Sequence, residues 1–199
     1  MDKDLCRTLA LGSLIRGYFH NLKGTLQSLS LQLQILYMKK DQLVDAKGHT
    51  YLEKALSFLQ KLQTQLDVAL EDANNNATGP WDLREIMEKE LIFWEANLFF
   101  KHKTSKEILE NKKAQVNIPI SELKGYLCLV GEILYPNIKE NTNLKIVIDE
   151  SPKPVIVFQL DQDLEDEICQ RLKNLSPLLE PKLHLEIDQR RLAIYFHVP

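Results

Sequence analysis

Apolar residues near the start of the chain recur at alternating spacings of four and three. The first stripe consists of Ile15, Phe19, Leu22, Leu26, Leu29, Leu33 and Leu36. The second consists of Leu52, Ala55, Leu59, Leu62, Leu66 and Ala69. This spacing is typical of a coiled-coil seam. The two stripes predict two helices that pair as an antiparallel hairpin, with a loop around residues 41–48.

Further apolar residues lie outside these seams. They include Leu31, Ile35, Leu56 and Leu70. One hairpin has no surface left to cover them, whereas two hairpins packed together do. We therefore expect a homodimer in which two copies form a four-helix bundle.

The segment Asp72 to Pro80, "DANNNATGP", interrupts the helical pattern because Asn, Gly and Pro all disfavour helix continuation. It predicts a boundary between a helical hairpin domain at 1–76 and a second domain at 81–199.

Mixed elements are predicted beyond this boundary. Helices are expected at 82–96 and 121–134, and a helix with one apolar face follows from Leu164 to Leu179. β-branched or alternating runs predict strands near 102–109 and at 144–149, 154–160, 182–187 and 192–198. Strands paired into a sheet with helices on one face make an α/β sandwich, so the predicted fold class is α+β.

Composition excludes several classes of protein. The chain has 199 residues, 44% apolar residues and a net charge of -3, which does not favour a nucleic-acid or membrane-surface partner. The three cysteines Cys6, Cys128 and Cys169 are widely separated in apolar segments, so we expect reduced, buried thiols. No signal pattern or long apolar run is present, which predicts a cytoplasmic protein.

One histidine stands beside the first apolar stripe. If Phe19 and Leu22 occupy the two core positions of the heptad, His20 points outward into solvent. A neutral imidazole held on a rigid helix is a competent nucleophile. An ordinary solvated histidine is the alternative interpretation.

The residues around His20 resemble a known motif. "HNLKGTL", from His20 to Leu26, is similar to the phosphoacceptor motif of two-component histidine kinases, and "QSLSLQLQIL" to their first dimerisation helix. In the second domain, "WDLREIMEKEL", "ISELKGYLCLVGEIL" and "LAIYFHVP" resemble the opening helix, the nucleotide-binding helix and the final strand of the ATP-binding domain. The resemblance implies that His20 accepts a phosphoryl group.

The resemblance fails at the nucleotide pocket. The segment "LCLVGEILY" lacks the asparagine that holds magnesium in the family and offers only Glu132. Asp161 matches the aspartate that reads adenine, but the two glycines that should follow it, a second glycine segment and the lid are missing. We therefore expect a degenerate ATP-binding domain and no cofactor in this chain.

Departures beside the histidine also bear on function. Asn21 replaces the acidic residue thought to act as a base in many kinases, and Gly24 replaces a residue associated with phosphatase activity, whereas Lys23 could screen phosphate charge. The resemblance implies a histidine phosphotransferase whose site comprises His20, Asn21 and Lys23, with no metal. Its partner would be a response-regulator receiver domain that supplies Mg²⁺. A dimeric pseudokinase scaffold is the alternative, and an ATP-dependent kinase is the third class.

Overall fold

The structure, a computed structural model, describes residues 3–38, 46–74, 78–150, 152–180 and 182–197. It divides into two compact units. One is Ile15–Asn74, and the other combines Met1–Leu14 with Asn75–Pro199. The start of the first helix thus groups with the second unit, whereas the sequence predicted residues 1–76 as one domain.

The predicted helical hairpin is confirmed. Helix α1 extends over Lys3–Met38 and helix α2 over Ala46–Asn74. Helix α2 begins at Ala46, so residues 46–48, predicted as part of the loop, are helical; residues 39–45 lie outside the described part. Thr25 on α1 contacts Gln65 on α2, and these residues lie equally far before and after position 45. The two helices are therefore antiparallel.

The face that α1 buries differs from the predicted seam. Tyr18 and Thr25 are 8% and 7% exposed, whereas Phe19 and Leu26, one position later, are 64% and 50% exposed. One residue corresponds to a rotation of about 100° around a helix. The assignment of Phe19 to a core position within the hairpin is therefore wrong, and the apolar stripe lies on a face that the chain itself leaves open.

The off-seam residues are also partly open to solvent. Leu31 on α1 and Leu56 on α2 are exposed, and Ala55 is the buried member of the second stripe. The side chains of Leu66, Ala69 and Leu70 lie outside the described residues. The hairpin unit therefore presents apolar side chains on more than one side.

The second unit contains the predicted mixture of helices and strands, and the α+β class is confirmed. Its elements in chain order are β1 (Trp81–Asp82), α3 (Leu83–Trp94), α4 (Leu98–Lys103), β2 (Thr104–Glu110), β3 (Gln115–Val116), α5 (Ile120–Leu134), β4 (Thr142–Asp149), β5 (Val155–Leu160), α6 (Asp166–Leu179), β6 (Leu183–Ile187) and β7 (Arg191–Phe196). The main sheet has the strand order β2-β4-β5-β7-β6. Strands β2 and β4 are parallel, and the other neighbours are antiparallel.

The short elements β1, β3 and α4 were not predicted from the sequence. Helix α4 occupies the beginning of the segment predicted as a strand, and strand β2 starts only at Thr104. The Asn97 side chain accepts hydrogen bonds from the backbone N–H groups of Phe99 and Phe100 at 3.0 and 3.2 Å. This N-cap satisfies donors that a helix start leaves unpaired, which explains why a helix forms here.

Aromatic side chains fill the space between the sheet and the helices. The Tyr135 ring centroid lies 5.2 Å from that of Trp94, 4.7 Å from that of Phe100 and 6.3 Å from that of Phe158. All four side chains are buried. This cluster fixes α3, α4 and α5 against strand β5.

The beginning of α1 is anchored in the same unit. The Arg7 Nη1 atom lies 2.8 Å from Glu90 Oε2 on α3, where the Glu90 side chain is 1% exposed. The Arg7 guanidinium also lies 3.6 Å from the centre of the Phe93 ring. A carboxylate removed from water needs such a charged partner, so α3 holds this segment of α1 in place.

We predict opposite effects for two glycine-to-alanine changes in helices. A Cβ atom at Gly131 would lie 2.8 Å from two Trp94 ring atoms, whereas one at Gly12 would meet nothing within 4 Å. Gly131→Ala should lower the free energy of unfolding by about 1–3 kcal/mol through overpacking. Gly12→Ala should raise it by up to about 1 kcal/mol through helix propensity. Urea unfolding measures both; equal stability of the two variants would contradict the packing at Gly131.

Candidate functional site

His20 is exposed, as the sequence predicted. Around the axis of α1 it lies about 160° from Tyr18 and about 140° from Thr25, the two buried residues that flank it. The side chains of Tyr18 and Thr25 therefore pack away from the imidazole, and Gly17, one turn before His20, is also buried. His20 itself faces solvent, although Phe19 does not take a core position.

The next turn of the helix leaves space beside the imidazole. Lys23 and Gly24 are exposed three and four positions after His20. Side chains on a helix lean towards its N-terminus, so those at positions 23 and 24 would lean towards His20. A Cβ atom at Gly24 would meet nothing within 4 Å. The glycine thus keeps one approach to the ring open, and Lys23 places a cation on the same side.

Asn21 is half-buried. The Thr25 hydroxyl donates to its backbone carbonyl oxygen at 3.1 Å and also lies 3.1 Å from Gln65 Oε1. A hydroxyl has one proton and can donate fully to only one acceptor. The Asn21 carbonyl and Gln65 Oε1 therefore share the Thr25 hydroxyl as their donor.

This network links the two helices one turn after His20. The sequence analysis did not single out Thr25 or Gln65. A polar residue seven positions after Tyr18 was the available signal, because it marks the same face of the helix.

An apolar groove continues along α1 from this site. It is lined by Leu26, Leu29, Ser30, Leu33, Gln34, Tyr37 and Met38. The exposed Phe19 and Leu26 side chains continue the apolar surface towards His20. The hairpin unit therefore combines an accessible imidazole with an apolar surface of the kind that partner proteins cover.

In the second unit, packing residues occupy the helix that resembles the nucleotide-binding helix. Gly131 on α5 lies against the Trp94 ring. Burial raises the pKa of Glu132 above its ordinary value, which disfavours the charged carboxylate that a magnesium ligand requires. The residues from 127 to 135 include no carboxamide that could replace it.

Asp161 lies at the end of β5, and its carboxylate is engaged by strand β4. It accepts a hydrogen bond from the backbone N–H of Asn143 at 2.8 Å and another from the Asn143 side-chain amide. The backbone hydrogen bond lowers the pKa of Asp161. These contacts assign Asp161 a structural role in joining two strand ends.

The segment after Asp161 is fastened to the turn between β6 and β7. Arg190 forms an ion pair with Asp163, and the Gln189 side chain donates to Asp166 Oδ1 at 3.1 Å. The backbone N–H of Leu164 donates to the Gln189 carbonyl at 2.8 Å. The hydrogen bond from Arg190 lowers the pKa of Asp163. Residues 161–166, which stand where the histidine kinases have a glycine-rich loop, are thus held against the turn between β6 and β7 by hydrogen bonds and an ion pair.

The described residues contain neither a membrane-spanning helix nor a cluster of metal-binding side chains. No helix among them is long and apolar enough to cross a membrane. No group of three or more His, Cys, Asp or Glu side chains in the described ranges could hold a metal ion.

Comparison with known proteins gave structural matches only. No family model and no curated protein sequence matches the chain. A bacterial phosphotransferase matches with a TM-score of 0.41 and 13% identity over 94% of this chain and 95% of its own. The histidine kinase AdeS of Acinetobacter baumannii matches with a TM-score of 0.49 and 14% identity over 90% and 98%.

The structural neighbours include histidine kinase domains. Another is the histidine kinase ThkA in complex with the response regulator TrrA, with a TM-score of 0.42 and 16% identity over 97% of this chain and 63% of that one. The sequence resemblance predicted neighbours of this kind. Because each score is below 0.5, the function of the chain has to be inferred from its own residues.

We predict that Thr25→Val weakens the hairpin. Valine keeps the shape of threonine but cannot hydrogen-bond to Gln65, so the free energy of unfolding should fall by about 1 kcal/mol. Thr64→Val is the matched control, because the Thr64 hydroxyl is exposed and donates only within its own helix, to the Gln60 carbonyl at 3.1 Å. Its effect should stay within about 0.5 kcal/mol. Chemical denaturation giving the same loss for both would contradict a bridging role for Thr25.

Proposed function

We propose that this protein is a histidine phosphotransferase of a two-component phosphorelay. In this proposal His20 carries a phosphoryl group between the aspartates of response-regulator receiver domains, and the chain binds no ATP. The observation that carries the proposal is the exposure of His20 on α1, with an open turn at Gly24 beside it. The ties of Asp161 and Asp163 to Asn143 and Arg190 support a carrier over a kinase.

The proposed step requires little chemistry from the carrier. A ring nitrogen of neutral His20 attacks the phosphorus of the aspartyl phosphate; an N–P bond forms, and the P–O bond to the aspartate breaks. The aspartate leaves as a carboxylate, and the one N–H proton of the phosphorylated imidazolium passes to solvent. The receiver domain supplies Mg²⁺ and its acidic pocket. Transfer to a second receiver reverses these steps.

The residues around His20 have distinct roles in this step. Lys23 screens the charge of the incoming phosphoryl group. Asn21 cannot accept a proton from the imidazole, because a carboxamide is not a base at neutral pH. The chain itself therefore mainly fixes the direction of the ring, and an activated phosphoryl donor provides the driving force.

The same surfaces suit a second candidate, a dimeric scaffold that binds a kinase or regulator without phosphoryl chemistry. The exposed apolar stripe on α1 favours partner binding in either case. The two functions differ only in whether His20 accepts phosphate.

We predict that His20→Gln abolishes phosphoryl acceptance. Receiver domains labelled at their aspartate with radioactive acetyl phosphate should transfer an acid-labile, base-stable label to the wild-type protein and none to the variant. His102→Gln, at another exposed histidine, makes the same chemical change and should keep the wild-type label. Both variants should unfold within about 0.5 kcal/mol of the wild type.

Three outcomes separate the functional classes. Label on His20→Gln at the wild-type level would exclude His20 as the acceptor. A receiver domain that binds tightly without transferring label would favour the scaffold. Label acquired from Mg-ATP alone would identify a kinase and overturn the proposal.

We also predict a homodimer formed through residues 15–74. Leu33 is 50% exposed in the single chain, and apolar surface of this kind favours burial by about 25 cal/mol per Å². Leu33→Glu should shift sedimentation towards the monomer at micromolar concentration. Gln27→Glu, which introduces the same charge at an exposed polar position, should leave the dimer intact. A wild-type protein that sediments as a monomer would refute this proposal.

A further inference from the structure

Two thiols from distant parts of the sequence meet inside the second unit. Cys6 lies near the start of α1 and Cys128 near the middle of α5, 122 positions apart. Their Sγ atoms are 2.9 Å apart. Both residues are completely buried. The two thiols are therefore in direct contact within the folded unit.

We propose that Cys6 and Cys128 form a reversible disulfide in response to peroxide. The bridge would fasten the first turns of α1 covalently to α5. This inference concerns a modification site and does not rest on the proposed phosphotransfer.

The geometry requires little movement. A disulfide has an S–S distance of about 2.05 Å, so the two sulfur atoms need to approach by about 0.9 Å from their separation of 2.9 Å. The ion pair between Arg7 and Glu90, formed by the residue next to Cys6, holds this part of α1 in place. The folded unit therefore already presents the two thiols to each other.

The environment makes the two sulfurs unequal. The hydrogen bond with Cys128 and, to a smaller degree, the Arg7 charge lower the pKa of Cys6, although burial and the Glu132 charge oppose this shift. The same hydrogen bond, together with burial, raises the pKa of Cys128. The thiolate is the nucleophilic form of cysteine. Cys6 is therefore the sulfur that reacts first.

The oxidation balances with one molecule of hydrogen peroxide. The Cys6 thiolate attacks one peroxide oxygen, the O–O bond breaks, and the departing hydroxide takes up a proton to form water. Cys128 then loses its proton and attacks the Cys6 sulfenic acid; the S–S bond forms, and the S–O bond breaks to release a second water. The two sulfurs lose two electrons in total, and the peroxide gains them.

Burial controls access to this pair. Peroxide is about as small as water, and the ends of helices open locally more readily than their centres. Opening at the start of α1 exposes Cys6 briefly, and reclosure brings Cys128 back to it. Cys169 on α6 is also buried, and burial raises its pKa, so it provides a matched cysteine with less nucleophilic character.

The test uses the folded full-length chain treated with hydrogen peroxide and then with a thiol-alkylating reagent. Mass spectrometry should show one intramolecular bridge between Cys6 and Cys128, and dithiothreitol should reverse it. Cys169→Ser should form the same bridge, whereas Cys6→Ala and Cys128→Ala should form none. The backbone amides at the start of α1 should exchange hydrogen more slowly in the oxidised protein.

The following results would overturn the inference. Three free thiols after peroxide treatment of the folded wild-type protein would show that the pair does not react. A bridge that requires Cys169, or sulfinic acid at Cys6 with Cys128 still free, would show that Cys128 does not resolve the intermediate. Circular dichroism of each alanine variant verifies that it is folded. If an alanine variant does not fold, Cys169→Ser, which keeps Cys6 and Cys128, still shows whether these two residues form the bridge.

Discussion

The burial of one carboxylate fixes the position of the first turns of helix α1. Glu90 is 1% exposed, and a charge withdrawn from water costs several kcal/mol unless a charged partner and hydrogen bonds compensate. The partner is Arg7, 83 positions earlier, at 2.8 Å. The first turns of α1 must therefore pack on the second unit, although the same helix goes on to carry His20 in the hairpin unit. Cys6, the residue before this arginine, contacts Cys128 in the same unit.

Local patterns in the sequence predicted most of the secondary structure. β-branched runs such as 144–149 and 154–160 became strands β4 and β5, where β4 alternates between buried and more open positions and β5 is buried on both faces. Helix α4 was missed because its signal is a single capping residue, Asn97, before a short aromatic segment. The parallel pairing of β2 with β4, and the grouping of Met1–Leu14 with the second unit, depend on contacts between distant residues. No local pattern encodes them.

The heptad pattern on α1 predicts a helix with an apolar face, but it does not predict what covers that face. It correctly predicted a helix and an exposed His20, but it assigned the apolar stripe to the contact between the two helices of one chain. The hydrogen bond between the two helices instead joins Thr25, one position before Leu26 of the stripe, to Gln65. Apolar periodicity identifies a face that favours burial, but it does not identify the molecule that covers the face. The polar residues on the adjacent face carried that information.

The departures from the kinase pattern have a common physical basis. A phosphate-binding loop needs glycines so that backbone N–H groups can approach the nucleotide and remain available to it. Here the corresponding segment has side chains, and Asp161, Asp163 and Asp166 are engaged with Asn143, Arg190 and Gln189. Each such contact joins neighbouring chain segments beside the sheet and at the same time engages a group that could bind a ligand. A chain that receives an already activated phosphoryl group needs no ATP-binding loop. The proposed chemistry is therefore compatible with the structural use of these three carboxylates.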